Sequence, residues 1–162
     1  SFDKMKMRWR LDFQMQSYSL DGNQPINKDR PSFARECALR IAFYPKENLK
    51  IKDIRAVYSY HIKKDKGSKV EIYSKLTTGP KMLAMWHKEY STDHKYSGQF
   101  QKVDMNPNVL GKKVIDAIQC SQPKIIGLDL TLLNRRDNFQ PSVNVQFKDK
   151  RDLSLFIEMQ SC

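Results

Sequence analysis

From Met5 to Met15 the apolar residues fall at every second position. Met5, Met7, Trp9, Leu11, Phe13 and Met15 alternate with Lys6, Arg8, Arg10, Asp12 and Gln14. A period of two over this length predicts a half-buried strand. The alternation then slips to Tyr18 and Leu20, so one extra residue, a bulge, is expected at Gln16–Ser17. Asp21-Gly22-Asn23 ends the strand, and the stretch through Pro31 reads as a polar loop.

The same pattern recurs along the chain. Cys37, Leu39, Ile41 and Phe43 mark a second strand that Tyr44-Pro45 closes. Ile54, Ala56, Tyr58, Tyr60 and Ile62 mark a third, and Val70, Ile72, Ser74 and Leu76 a fourth. The charged Lys63–Lys69 turn between them predicts a hairpin. Thr77-Thr78-Gly79-Pro80 turns the chain into a fifth strand with Met82, Ala84 and Trp86, and a short strand is expected around Gln99–Val103.

One helix is predicted near residues 107–120, with Asn106 as cap and Pro107 at the first position. Leu110, Val114 and Ile118 would be its buried face, and Gly111 weakens it by about 1 kcal/mol. Ile126, Leu128, Leu130 and Leu132 form a strand whose other face, with Ile125 and Leu133, is also partly apolar, which places it inside a sheet. Val143, Val145 and Phe147, then Leu153, Leu155, Ile157 and Met159, predict a closing hairpin around Lys148–Asp152.

About eight strands joined mainly by turns, with one helix, predict an all-β or β-rich α+β domain. An antiparallel β-sandwich, jelly-roll-like, buries this many apolar faces most economically; one curved sheet wrapped on the helix is the alternative. No repeat or linker divides the 162 residues, so residues 1–162 read as a single domain. Because the chain begins at Ser1, it is expected to be a fragment of a longer one. No window approaches eighteen consecutive apolar residues, which excludes a membrane-spanning helix.

Charge adds the main functional signal. The chain carries 29 Lys and Arg against 18 Asp and Glu, a net +11, and residues 1–81 hold +9 of it. Such a field attracts polyanions. On the first strand Lys4, Lys6, Arg8 and Arg10 share the solvent side, spaced roughly 6–7 Å apart, close to the phosphate spacing of one nucleic-acid strand. Lys63, Lys64, Lys66 and Lys69 would extend this ridge, and Arg135-Arg136 and Lys148, Lys150 and Arg151 form further clusters. The same charges would also guard sheet edges against unwanted pairing. Tyr58, Tyr60, Tyr73, Tyr90 and Tyr96 lie near Lys and His as base-stacking platforms do, but Tyr58 and Tyr60 share an apolar strand face and read as core, as do Trp9 and Trp86.

Residues that would carry catalysis are missing from recognisable arrangements. His61, His87 and His94 match no zinc spacing, and there is no GxSxG, P-loop or GxGxxG pattern, so no catalytic residue, metal ligand or cofactor is nominated. Cys37, Cys120 and Cys162 are widely spaced and form no CxxC pair. With no Asn-x-Ser/Thr sequon, they read as reduced thiols of an intracellular protein, in cytoplasm or nucleus, or of the interior of a virus particle.

The function expected is therefore a non-enzymatic binding domain that contacts nucleic acid or an anionic membrane through a basic strand face. One alternative is a structural or assembly protein, such as a viral matrix, coat or movement-type subunit or a protein-interaction scaffold, able to bind copies of itself or a protein partner. The other is an enzyme whose site assembles only in three dimensions.

Overall fold

The computed structural model describes residues 1–3, 7–15, 20–21, 32–136, 143–147 and 153–162. Among these, eleven strands and one helix follow one another as β1 (Phe2–Asp3), β2 (Arg8–Phe13), β3 (Leu20–Asp21), β4 (Ser32–Phe43), β5 (Leu49–Lys64), β6 (Ser68–Thr78), β7 (Lys81–Tyr90), β8 (Tyr96–Met105), α1 (Val109–Asp116), β9 (Lys124–Arg136), β10 (Val143–Gln146) and β11 (Leu153–Ser161). The expected bulge at Gln16–Ser17 and the polar loop through Pro31 lie outside the described residues.

Every pairing is antiparallel, and the strands make two sheets of a β-sandwich. β10 and β11 both pair with the long β5, opposite His61–Lys64 and Leu49–Tyr58 respectively, so they follow one another along the same strand. β3 and β2 lie along them in the same way. Counting each of these pairs as one strand, and setting aside the two-residue β1 on β2, eight principal strands remain among the described residues. Numbered along the chain, the sheets read 1-8-3-6 (β2, β11, β5, β8) and 2-7-4-5 (β4, β9, β6, β7). This is the double Greek key of a jelly roll, in which all consecutive strands but one pair change sheets.

That connectivity corrects two expectations. The runs around Lys63–Lys69 are no hairpin: β5 lies in the first sheet and β6 in the second. Nor do β10 and β11 pair with each other, since both lie on β5. The local pattern of a hairpin and of a crossover between facing sheets is identical, because each needs only two alternating runs and a polar turn. The expected turn at Thr77–Pro80 is present and β6 and β7 pair across it as a hairpin, with Gly79 at φ 55° donating its N–H to the Ile125 carbonyl (2.7 Å). β9 lies between β4 and β6, as its two partly apolar faces require. β8 is longer than the Gln99–Val103 expected, because Gln99 and Gln101, in register with the inward Ile62 and Tyr60, are polar while the outward Phe100 is apolar, which hides the alternation.

The core sits between the sheets. Tyr58 and Tyr60 are buried in it, edge-on to Trp86, and pack with Phe147. Their hydroxyls bond across to the second sheet, Tyr58 to Ser74 (2.9 Å) and Tyr60 to Tyr90 (2.7 Å), so neither phenol is stranded. Trp9 is half-buried against this core.

Helix α1 closes one end of the sandwich, on different residues from those expected. Asn108, not Asn106, is its cap: the Asn108 Oδ1 accepts the Gly111 N–H (2.8 Å), while Asn106 donates to Asp104. Gly111, Ile115 and the following Ile118 are the buried positions, whereas Leu110 faces solvent and Val114 is half-buried. Gly111 turns the face, since a Cβ there would stand 2.1 Å from the Leu83 carbonyl oxygen.

The cysteine reading is corrected as well. Cys120 and Cys162 form a disulfide, and Cys37 is the free thiol, half-buried on the inner face of β4. Sequence separation of 42 concealed the pair. The thiol argument for a reducing compartment loses two of its three residues.

Candidate functional site

The basic residues singled out from the sequence do not form one ridge. Lys4, Lys6, Lys148, Lys150 and Arg151 lie outside the described residues, and Arg136 is described only as the last residue of β9. Arg8 and Arg10 project from the outer face of the first sheet. Lys63 is exposed on that face too, but eight residues along β5 from Arg55, roughly 26 Å away.

The remaining candidates are elsewhere. Lys66 is exposed in the crossover turn. Lys64 is buried: its ammonium donates to the carbonyls of Asp65 (3.1 Å) and His94 (2.5 Å) and lies 5.4 Å from the centre of the Tyr96 ring. Burial lowers its pKa, and the nearby Asp65 and Asp93 offset this only in part. It is a plug for the crossover rather than part of a cationic surface. Lys69 and Arg135 pair side by side on the outer face of the second sheet, on the opposite side of the molecule from Arg8.

What the fold does assemble is a cluster around Phe156. β11 lies between β2 and β5, with Phe156 opposite Arg10 on one side and Arg55 on the other. The guanidinium carbons of Arg8, Arg10 and Arg55 stand 5.3, 5.6 and 5.4 Å from the centre of the Phe156 ring. Each contact is within cation–π range, so one ring holds three cations at the same place on the sheet. Two of the charges have partners: Arg10 bonds Asp12 (2.8 Å) and Arg55 pairs with Asp104 (2.8 Å). Ser154 extends the first of these, donating to Asp12 (2.6 Å). Arg8 has no ion pair among the described residues. It borders an open groove of about 440 Å³ with Met7, Lys52, Glu158 and Gln160, where Lys52 is bonded to Glu158 (2.7 Å).

Sequence reasoning found Arg8 and Arg10 but missed Arg55 and Phe156. The signal was present in Phe156, an aromatic out of phase with Leu153, Leu155, Ile157 and Met159 and so on the polar side of the last strand.

The outer face of the second sheet carries a different cluster. Tyr73 and His87 stack face to face, 4.2 Å between centres, and the Tyr73 hydroxyl donates to Glu71 (2.9 Å). Lys69 bridges Glu71 (2.6 Å) and Glu89 (2.8 Å). The Lys69 bond holds the Glu71 carboxyl below the usual carboxylate range; the Tyr73 hydroxyl acts the same way and burial opposes both. Glu71 in turn raises the Tyr73 pKa, through their hydrogen bond first. Beside this cluster a groove of about 240 Å³ runs between Glu36, Ala38, Lys75, Asp129 and Thr131. Of its charged residues, Asp129 is taken by Arg40 (2.6 Å) from outside the groove. His61 rests on Phe100 and His94 bonds Ser91, so the three histidines are apart.

No family model matches the chain, and no curated protein matches it. Among solved structures it is similar to TmCBM61 in complex with beta-1,4-galactotriose, at 15% identity and a TM-score of 0.40 over 98% of this chain and 86% of that one. It is similar to the VP2 subviral particle protein of infectious bursal disease virus, at 8% identity and a TM-score of 0.36 over 99% of this chain and 38% of that one. It is also similar to dimeric latent PorU from Porphyromonas gingivalis, at 13% identity and a TM-score of 0.35. The chain spans 76% of its own length there but only 10% of that chain. Likeness at these levels assigns no function.

Proposed function

We propose that this domain is a non-enzymatic binding module for phosphate-bearing polyanions, and that it engages single-stranded nucleic acid on the outer face of the first sheet. The observation that carries this reading is the gathering of Arg8, Arg10 and Arg55 within 5.6 Å of the Phe156 ring centre. A guanidinium can offer its N–H groups to phosphate in the fork geometry that matches two oxygens at once. Arg8 supplies a charge with no carboxylate partner among the described residues. Arg10 and Arg55 exchange Asp12 and Asp104 for phosphate at modest cost, because half-exposed ion pairs are worth little. The groove beside Arg8 gives an extended chain a path along β11.

Fluorescence anisotropy of a labelled single-stranded oligonucleotide, titrated across salt, tests the reading. Three phosphates neutralised on a single strand correspond to a slope of log affinity against log salt of about −2. Changing Arg8, Arg10 and Arg55 together to Gln should remove most of that slope. If the triple variant binds with the parent's affinity and slope, the cluster is surface only and the reading fails.

A further inference from the structure

A second surface, separate from the Phe156 cluster, lies at the end of the sandwich closed by α1. Five of the seven large apolar side chains that stand exposed among the described residues gather there: Tyr44, Met82, Val109, Leu110 and Ile125. The backbone brings them together. Ile125 pairs with Ala42, two residues before Tyr44, and its carbonyl takes the Gly79 N–H from the β6–β7 turn (2.7 Å). Met82 is the second residue of the strand that leaves this turn, and its neighbour Leu83 accepts the Asn108 N–H (3.0 Å) at the start of α1. Val109 and Leu110, next in the chain, are 77% and 70% exposed.

Neither residue is required by the helix. Its packing uses Gly111, Ile115 and Ile118, and its cap uses Asn108. Two adjacent apolar side chains on an exposed first turn are therefore unexplained by folding.

The charges around them have one sign in excess. Residues 44–50, 79–82 and 106–125 contain six lysines against Glu47 and Asp116 alone. Lys46, Lys81, Lys113 and Lys124 have no ion pair among the described residues, and Lys112 reaches Asp116 only at 3.8 Å. An apolar tip ringed by lysines complements one surface in particular, an anionic phospholipid bilayer. There the apolar side chains enter the acyl boundary while the ammonium groups stay at the headgroups.

We infer that this end of the domain docks on anionic membrane through Tyr44, Val109, Leu110 and Ile125, steadied by the surrounding lysines. The rim is well anchored for such a load. Ser121 donates to the Leu49 carbonyl (2.8 Å), Cys162 to the Asn48 carbonyl (3.0 Å), and the Cys120–Cys162 disulfide joins the two segments.

Sedimentation with phosphatidylserine-containing phosphatidylcholine vesicles, against pure phosphatidylcholine vesicles, tests the inference. The protein should bind the first and not the second. Leu110→Asp should weaken binding by about tenfold or more, the worth of one buried leucine side chain. Lys81→Gln and Lys113→Gln should each weaken it roughly fivefold. Tyr44→Ser, on a turn away from α1, gives a second apolar test should Leu110→Asp unfold the helix by circular dichroism. The Arg8/Arg10/Arg55→Gln variant should keep its vesicle binding, which separates this surface from the oligonucleotide site. Equal binding to both vesicle types, or vesicle binding unchanged in Leu110→Asp and Tyr44→Ser, overturns the inference. So does loss of a dimer in analytical ultracentrifugation on Leu110→Asp with no vesicle binding by the parent, which would make the occupant a second copy of the chain.

Discussion

Replacing Gly111 with Ala separates what helix propensity predicts from what packing predicts. On propensity alone Ala should stabilise α1 by about 1 kcal/mol. The structure reverses the sign. A Cβ at position 111 would lie 2.1 Å from the Leu83 carbonyl oxygen and 2.7 Å from its carbonyl carbon and Cα, where backbone contacts do not fall below 3.0 Å. The obstruction is main chain of β7, so no rotamer can relieve it. The helix must withdraw by about 1 Å, and a tightly packed interior resists such a shift.

Withdrawal stretches the Asn108 N–H···O=C Leu83 bond (3.0 Å), worth about 1 kcal/mol. It also loosens Ile115 and Ile118, both almost fully buried. Overpacking of this kind costs about 1–3 kcal/mol. With the lost hydrogen bond set against the propensity gain, Gly111→Ala should destabilise the domain by about 1–3 kcal/mol. Urea unfolding followed by tryptophan fluorescence is the assay: the midpoint should fall with the slope unchanged. Lys113→Ala, exposed on the same helix, should stay within about 0.5 kcal/mol of the parent. A Gly111→Ala protein more stable than the parent would refute the packing argument.

Two further outcomes follow from the same structure. Glu71 is held below the ordinary carboxylate range by Lys69, so the unfolded chain binds its proton more readily than the folded one. Its contribution to stability is full above about pH 4.5, the ordinary value, and is lost as pH falls through the lower folded value. Glu71→Gln should flatten that acid limb in a series of thermal melts, and an unchanged limb would mean that the Lys69–Glu71 bond adds nothing. Removing the disulfide by Cys120→Ser with Cys162→Ser opens a loop whose ends are 42 residues apart, an entropic loss of up to about 4 kcal/mol. Chemical denaturation of the double variant, and of the parent in reductant, should show the same drop; parent-like midpoints in both would assign the clasp no role in stability.

The sequence by itself determined the strands, because burial of one face imposes a period of two whatever the strand pairs with. Most strands, the buried Tyr58 and Tyr60, the interior place of β9 and the sandwich class all follow from it. It could not say which strands meet. Lys63–Lys69 has the composition of a hairpin turn, yet its Lys64 is buried and the chain crosses between sheets. The pairing of Cys120 with Cys162 across 42 residues, the turning of α1 onto Gly111 and the convergence of Arg8, Arg10 and Arg55 on Phe156 are all products of the eight-strand order. Alternation is written locally, by water against each strand in turn. Partnership is fixed by which apolar faces exclude water together, and that competition is settled only when the whole chain has closed.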